Sequence, residues 1–448
     1  MNSELKQKKL FFKAREYMDK LKKSEVDTAS SSYSYLTCWG ETVGYARLKI
    51  WINGYRNIFQ YIKIFIKNLY VIGCYSDFRI SKNDINLDIY KKLIISWSFK
   101  DNFSQNGEYH DRYFNLKSSQ TKNTLWLLLS IDNIFPANLD LNVIILYRKN
   151  NKFNLIYLIK QIACLILEKN FNMKKIFHEL SFNSFLSKLI VNKINKRFDQ
   201  LKFESILTPY EGQPFQQTLN NFFKKKNQNT ITQGYIHNVL TPFPGEYFFR
   251  SGAPDQLLIH GLSMKGILEK YLGWPKEKIK IIKSFMKPIQ NEKNNFENIY
   301  LPYELEDFSN SLKIFEKYLE LSEKSSLKNF EVKIHPANLN CKKNLEYKKN
   351  LEKVLDKYNS RFSLNSFRQS ISIVFGFSSL IVQLLENNKS ILQITTSPEF
   401  EVFFQADKYW DFLTVEKKFQ GAYFYSLSKK SSFIDYSENM NKDFFADF

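Results

Sequence analysis

Glycine and proline are scarce in this chain, with 14 and 11 among 448 residues. That scarcity excludes a collagen-like or Gly/Pro-rich disordered protein. Cysteine is scarcer still. Cys38, Cys74, Cys164 and Cys341 stand far apart with no CxxC pair, which excludes a disulfide framework or zinc ribbon and fits a reducing, cytoplasmic setting. No run of about 18 apolar residues occurs, so no membrane-spanning helix is expected. The opening MNSELKQKKLFFKAREYMDKLKK lacks the apolar centre of a secretory leader. There is no GxxxxGK[ST], GxGxxG or GxSxG, which removes the motif support for nucleotide hydrolysis, dehydrogenase and serine-hydrolase chemistry. HExxH and DxD are missing too, so no catalytic metal is expected.

Apolar residues make up 44% and aromatics 16% of the chain, ample for sizeable cores. The length suits two domains. The net charge of +20 has two readings: attraction to an anionic partner, or the Lys/Asn/Ile/Phe-rich composition that low-GC genomes produce. The basic residues are dispersed and form no single stripe, so nucleic acid is not an expected partner. Two apolar stretches, Asn57–Gly73 and Phe153–Lys169, are interrupted by Lys63, Lys67 and Lys160. They read as core helices with lysines snorkelling at the rim, or as helices lying flat on an anionic membrane; the core reading is the simpler.

Residues 1–80 read as a mainly helical extension. From there, apolar β-type runs alternate with helical patterns. LIISWSF (Leu93–Phe99), TLWLLLS (Thr124–Ser130), NVIILY (Asn142–Tyr147), FESILTPY (Phe203–Tyr210), NTITQGYIH (Asn229–His237) and DQLLIHG (Asp255–Gly261) predict strands buried on both faces. Phe215–Lys225 and Ser263–Leu272 predict helices between them. After the polar stretch at Gln290, a second series follows: NIYLPY, a helix over Phe308–Leu321, FEVKIHP, a helix over Asn344–Tyr358, ISIVFG, SSLIVQLLENN and SILQIT. This alternation predicts an α/β protein with mostly parallel sheets. The expected units are 1–80, 81–290, 291–410, and a tail over 411–448 packing back on the first sheet.

Ligands of open parallel sheets bind beyond the carboxyl ends of the strands, and four places put chemistry there. FEVKIHP delivers His335, followed by Pro336, which stops the ladder; an imidazole there can bond or protonate a phosphate. ISIVFGFSSL ends at Gly376 and opens a helix with Ser378 and Ser379, whose hydroxyls and free amides suit a phosphate. Gln383 lies one turn on, within reach of a ribose, and Glu386 two turns on, facing solvent. TPYEGQPF ends in Glu211 and Gly212, where a carboxylate can serve as general base or simply occupy a turn. The next two strands end in His237 and His260, candidates to line a cleft or ordinary strand-end histidines.

The order of these pieces, an acidic-Gly pair, then His-Pro, then Ser-Ser, resembles bacterial GT-B sialyltransferases and capsule polysialyltransferases. The stretch YEGQPFQQTLNNFFKKKNQNTITQGYIHN and the later FGFSSLIVQLLENNKSILQI also resemble surface carbohydrate biosynthesis proteins. The resemblance spans roughly residues 200–400. It implies a GT-B fold, two Rossmann-like domains facing a central cleft, and a metal-independent, inverting glycosyltransferase without a bound cofactor. The co-substrate would be a nucleotide sugar, probed first as a CMP-linked sialic or related ulosonic acid. The acceptor would be a glycan or lipid-linked glycan of capsule or lipopolysaccharide at the inner face of the cytoplasmic membrane. By the same resemblance Glu211 is the base, and His335, Ser378 and Ser379 hold the donor phosphate. Tyr210 stands where the sialyltransferase motif has a second acidic residue, and Gln383 where many GT-B enzymes have a ribose-binding Glu. A UDP- or GDP-sugar transferase, an epimerase and a non-catalytic export scaffold are the alternative expectations.

Overall fold

A computed structural model describes residues 58–81, 87–121, 123–150, 152–167, 182–198, 201–238, 247–285, 297–302, 307–321, 330–335, 338–339, 341–358, 371–376, 378–396, 412–429, 433–435 and 444–445, together with 9, 12 and 16. Most of the expected N-terminal extension, and Pro336, lie outside these residues.

The first sheet has eight strands. In chain order they are β1 (Phe78–Ile80), β2 (Lys92–Ser98), β5 (Thr124–Ser130), β6 (Val143–Arg148), β7 (Ser205–Pro209), β8 (Ile231–Tyr235), β9 (Gln256–Ile259) and β10 (Ile279–Ile281). A small hairpin, β3 (His110–Asp111) and β4 (Leu116–Lys117), stands apart between β2 and β5. The spatial order is β1-β6-β5-β2-β7-β8-β9-β10. All neighbours are parallel except β1, which runs antiparallel on β6. From β2 the chain winds outward to β6, then returns to β7 and winds the other way. The winding reverses between β2 and β7, the place where a doubly wound sheet opens its ligand crevice.

The continuous apolar strands follow from this architecture. Side chains alternate across a strand, and both faces here are covered. Leu93, Ile95 and Trp97 of β2 join a core with Ile190 and Ile194 of α3 (Phe182–Arg197) and Phe215 and Leu219 of α4 (Pro214–Lys226). Ile94 faces the opposite core with Trp126, Leu128, Leu207 and Phe285. Two further helices, α1 (Ile58–Gly73) and α2 (Leu155–Ile166), pack beside α3 through Ile72, Leu158 and Phe185. The α5 helix (Leu262–Lys270) follows β9.

The second sheet is formed by β11 (Glu297–Leu301), β12 (Phe330–Ile334), β13 (Ile371–Phe375), β14 (Ser390–Ile394), β15 (Leu413–Phe419) and β16 (Ala422–Leu427), in the order β12-β11-β13-β14-β16-β15. The first four are parallel, and their winding reverses between β11 and β13. Helices α6 (Phe308–Leu321) and α7 (Lys342–Tyr358) cover one face, and α8 (Leu380–Glu386) packs on the other. The chain is thus an α/β protein with two Rossmann-like sheets.

The stretch expected as a tail has two parts. Leu413–Leu427 forms the antiparallel hairpin β15–β16 on β14, extending the second sheet. Beyond it, Phe433 and Ile434 remain in the second sheet's core, while Phe444 and Phe445 pack on Phe285 and Phe114 in the first. Between these anchors the backbone is held from both sides. Ile434 N donates to Glu386 Oε1 at 3.2 Å, Asp435 N to the His260 carbonyl at 2.7 Å, and Ser284 N to the Asp435 carbonyl at 2.6 Å. Glu386, expected in solvent, instead receives this crossing segment.

Candidate active site

Three adjacent parallel strands place three of the expected residues at one level. Pro209 of β7 pairs with Tyr235 of β8, and Tyr235 with Leu258 of β9. Two residues beyond each of these stand Glu211, His237 and His260. The carboxyl edge of the first sheet therefore carries a row of carboxylate, imidazole and imidazole, beginning beside the reversal point.

The turn that aims Glu211 is built from glutamine side chains. Gln216 Oε1 accepts from the backbone N–H of Glu211 at 3.0 Å and of Gln213 at 3.1 Å. Its amide donates back to the Pro209 carbonyl at 2.7 Å. Gln217 donates to the Tyr210 hydroxyl at 3.1 Å and the Gly212 carbonyl at 3.3 Å. The buried Arg250 guanidinium also donates to the Gly212 carbonyl. These groups pin the carbonyls and amides of a loop that has no ladder partner. Gly212 has φ +64°, a left-handed conformation that favours glycine. Replacing Gly212 with Ala is expected to cost about 1–2 kcal/mol through that backbone strain, measured as a lower denaturation midpoint at unchanged m-value.

Glu211 itself is only slightly exposed. Gln213 Nε2 donates to its Oε2 at 2.8 Å, and its Oε1 stands 3.7 Å from His237 Nε2, beyond hydrogen-bond distance. Burial pushes the His237 imidazole down to about 3, with neighbouring His260 adding to the effect. The nearby carboxylate favours the charged ring, but desolvation wins. His260 is likewise held down at about 4 by burial, partly opposed by the backbone at Ile236. Both rings are therefore neutral at pH 7. The Asn238 amide nitrogen lies 2.8 Å from His237 Nε2. A carboxylate anchored at one oxygen and faced at the other by a neutral ring is equipped to take a proton from a hydroxyl.

The β3–β4 hairpin supplies the outer wall. Tyr113 packs edge-on against His237, ring centroids 4.5 Å apart, and its hydroxyl is driven well above the usual phenol range by burial and by the Glu211 and Asp111 carboxyls. Its backbone is set by Asp111, a fully buried residue. Asp111 Oδ1 accepts from the N–H of Tyr113 and of Phe114, each at 2.8 Å. Asp111 Oδ2 lies 2.5 Å from the Ser96 hydroxyl and 2.8 Å from that of Tyr109. Neither this hairpin nor the glutamine clamp was legible as part of a site in the sequence; the only local trace is the density of Gln in EGQPFQQ.

The other expected residues belong to the second sheet. His335 is exposed at the end of β12, partial desolvation drawing its pKa below the usual value, and its carbonyl accepts from Asn338 N at 2.8 Å. Gly376, φ +64°, ends β13 beside the reversal point. Its N–H donates to the Ile394 carbonyl at 2.7 Å, and its carbonyl accepts from Gln393 Nε2 at 2.7 Å. Of the two serines, Ser378 does the capping: its hydroxyl accepts from Leu380 N at 3.2 Å. Ser379 is already helical, at φ −61° and ψ −17°, and makes no side-chain cap bond. Gln383 is half-buried on the seven-residue α8. The sheet edges thus gather Glu211, Gly212, His237 and His260 in one row, and His335, Gly376, Ser378, Ser379 and Gln383 about the other. Among the described residues no group of three or more His, Cys, Asp or Glu could hold a metal ion.

No protein-family model and no curated protein matches the sequence. Among solved structures, a glycosyltransferase from Rickettsia africae aligns at 13% identity over 66% of this chain and 70% of its own, with a TM-score of 0.29. The apo form of the lipopolysaccharide outer core galactosyltransferase WaaB aligns at 10% identity over 68% and 80%, also with a TM-score of 0.29. Superpositions this loose carry no inference for this chain, whose topology stands on its own strand pairing.

Proposed function

We propose that the protein is a GT-B glycosyltransferase that moves a sugar, of the sialic or related ulosonic acid class, from a CMP-linked donor to a hydroxyl of a surface-glycan acceptor. The observation that carries this reading is the Glu211 carboxylate, anchored through Oε2 and set beside the reversal point of the first sheet. In this reading Glu211 takes the acceptor O–H proton. The acceptor oxygen bonds to the anomeric carbon, the bond from that carbon to the phosphate oxygen breaks, and CMP leaves with the electron pair. His335 and the Ser378–Ser379 hydroxyls meet the negative charge growing on the phosphate, and Gln383 contacts the ribose. His237 stands beside the base on the acceptor side, its neutral ring adding no competing positive charge, and His260 is fully buried behind it.

A thermal-shift panel with CMP, UDP and GDP tests the donor assignment. CMP is expected to raise the unfolding temperature, since a ligand at about 100 times its Kd stabilises by about 2.7 kcal/mol, and the shift should disappear in the Ser378→Ala/Ser379→Ala double variant. A shift with UDP or GDP instead would reassign the donor. No shift with any nucleotide would favour the export scaffold over an enzyme.

A further inference from the structure

Helices α1 and α2 are apolar on both sides, and among the described residues only one side is covered. The inward side meets the core through Leu69, Ile72, Leu158 and Ile162. On the outward side of α2, Leu155, Ile156, Ile159, Ala163, Ile166 and Leu167 fall within about one third of the helix circumference. Ile156 and Ile159 are 69% and 56% exposed. On α1, Ile62, Ile66 and Tyr70 follow one another at every fourth position, Ile66 and Tyr70 each 59% exposed. The two stripes meet where the Tyr70 ring stacks on Phe153, centroids 5.5 Å apart and planes 6° apart. The expectation of buried core helices holds for one side only.

An apolar surface of this extent on a protein marks an interaction site, and its charged surroundings select the partner. Neither helix contains an acidic residue. Exposed lysines stand at the margins of the stripes: Lys67 beside Ile66, Lys160 beside Ile159, and Lys152 before the start of α2. At 16 and 12 residues the helices are too short to cross a bilayer, and no described helix is long and apolar enough to do so. Apolar residues on one face with lysines flanking them is the arrangement of a helix lying in a membrane interface, and clustered lysines are drawn to anionic headgroups.

We propose that the outward α1–α2 face docks the protein on an anionic lipid bilayer, with both helices lying in the interfacial plane. The site is remote in sequence from Glu211 and His335, and the proposal is independent of the donor reading.

Co-sedimentation of the full chain with vesicles tests it. The wild type is expected to pellet with phosphatidylcholine/phosphatidylglycerol vesicles and at least tenfold less with phosphatidylcholine alone. The Ile156→Glu/Ile159→Glu double variant, altered only at exposed positions, should lose tenfold or more of that binding with its thermal unfolding unchanged. Lys67→Glu/Lys160→Glu should weaken binding to the anionic vesicles selectively. Wild-type protein that stays in the supernatant with both vesicle types would overturn the proposal. So would light scattering that finds a dimer dissociated by Ile156→Glu/Ile159→Glu without vesicle binding, because the face would then belong to a second copy. Transfer to a short soluble acceptor should be the same in wild type and variant, so that failure of docking is read separately from failure of catalysis.

Discussion

Replacing Glu211 with Gln is expected to lower kcat for sugar transfer by about 10²–10⁴-fold, the usual contribution of a positioned general base, while nucleotide binding stays within about twofold of wild type. The substitution is close to isosteric. The new side-chain carbonyl can still accept the Gln213 amide that now holds Oε2, and the clamp from Gln216 acts on the backbone, which is untouched. What disappears is the ability to accept a proton at the atom facing His237. The measurement is a pair: initial rates with a donor and acceptor, and nucleotide titration by calorimetry. Loss of nucleotide affinity together with rate would mean that Glu211 belongs to the donor site and would remove it from the base role. Retention of full rate would send the proton elsewhere, and His237, neutral and 3.7 Å away, would become the residue to replace next.

The second large effect is on stability and concerns Asp111. Asp111→Ala should destabilise the protein by about 3–5 kcal/mol, because buried N–H and O–H groups lose their partner. Asp111→Asn should cost less than about 1 kcal/mol. The difference follows from counting hydrogens. The Tyr109 hydroxyl lies 2.6 Å from the Trp97 carbonyl and 2.8 Å from Asp111 Oδ2, one hydrogen between two acceptors. An ionised Asp111 competes with the carbonyl for that hydrogen, and when the carbonyl takes it the tyrosine oxygen faces a carboxylate oxygen served only by Ser96. A neutral Asp111, or an asparagine amide, donates to the tyrosine, which then donates to the carbonyl. Burial raises the Asp111 pKa, against the hydrogen bonds from Ser96, Tyr109 and the two backbone amides. The sign for stability follows. In the unfolded chain the carboxyl titrates near pH 4, and in the folded one higher, so the folded state binds more protons in the interval between. The contribution of the acid is complete below about pH 4 and is lost as pH rises through the folded-state value. Chemical denaturation at a series of pH values should therefore show Asp111→Asn gaining on the wild type as pH increases. A flat difference would mean that the carboxyl is ionised in the fold.

The strands were legible because they are covered on both faces. Thr124–Ser130 in the first sheet and Ile371–Phe375 in the second are runs in which every second residue serves a different core, and such runs stand out without any alternation to decode. Phe308–Leu321 was legible for the opposite reason, its apolar positions falling on one helical stripe. Three things were hidden. The β15–β16 hairpin includes LTVEKKF, whose residues are mostly exposed at the sheet's edge, so the burial pattern that reveals a strand is missing there. Helix α3 mixes Ser, Asn and Lys with its apolar residues and has little amphipathic contrast, although Ile190 and Ile194 are fully buried. Strand order cannot be read from any local window, and the reversal between β2 and β7 gives Glu211 its place. At the candidate site, Glu211, His237 and His260 stand out in the sequence because each follows an apolar strand. Asp111, Tyr113 and Gln216 escaped because their importance lies in partners far along the chain or in the backbone they hold.

The crossing segment at Ile434–Asp435 has a consequence for how the molecule comes into being. Phe444 and Phe445 complete an aromatic cluster around Phe285 and Phe114, yet they are synthesised long after the last strand of that sheet has left the ribosome. Those two rings can join the first sheet's core only after the carboxy-terminal half has been made. Order of synthesis and order of completion are thereby inverted: the half begun first is the half finished last.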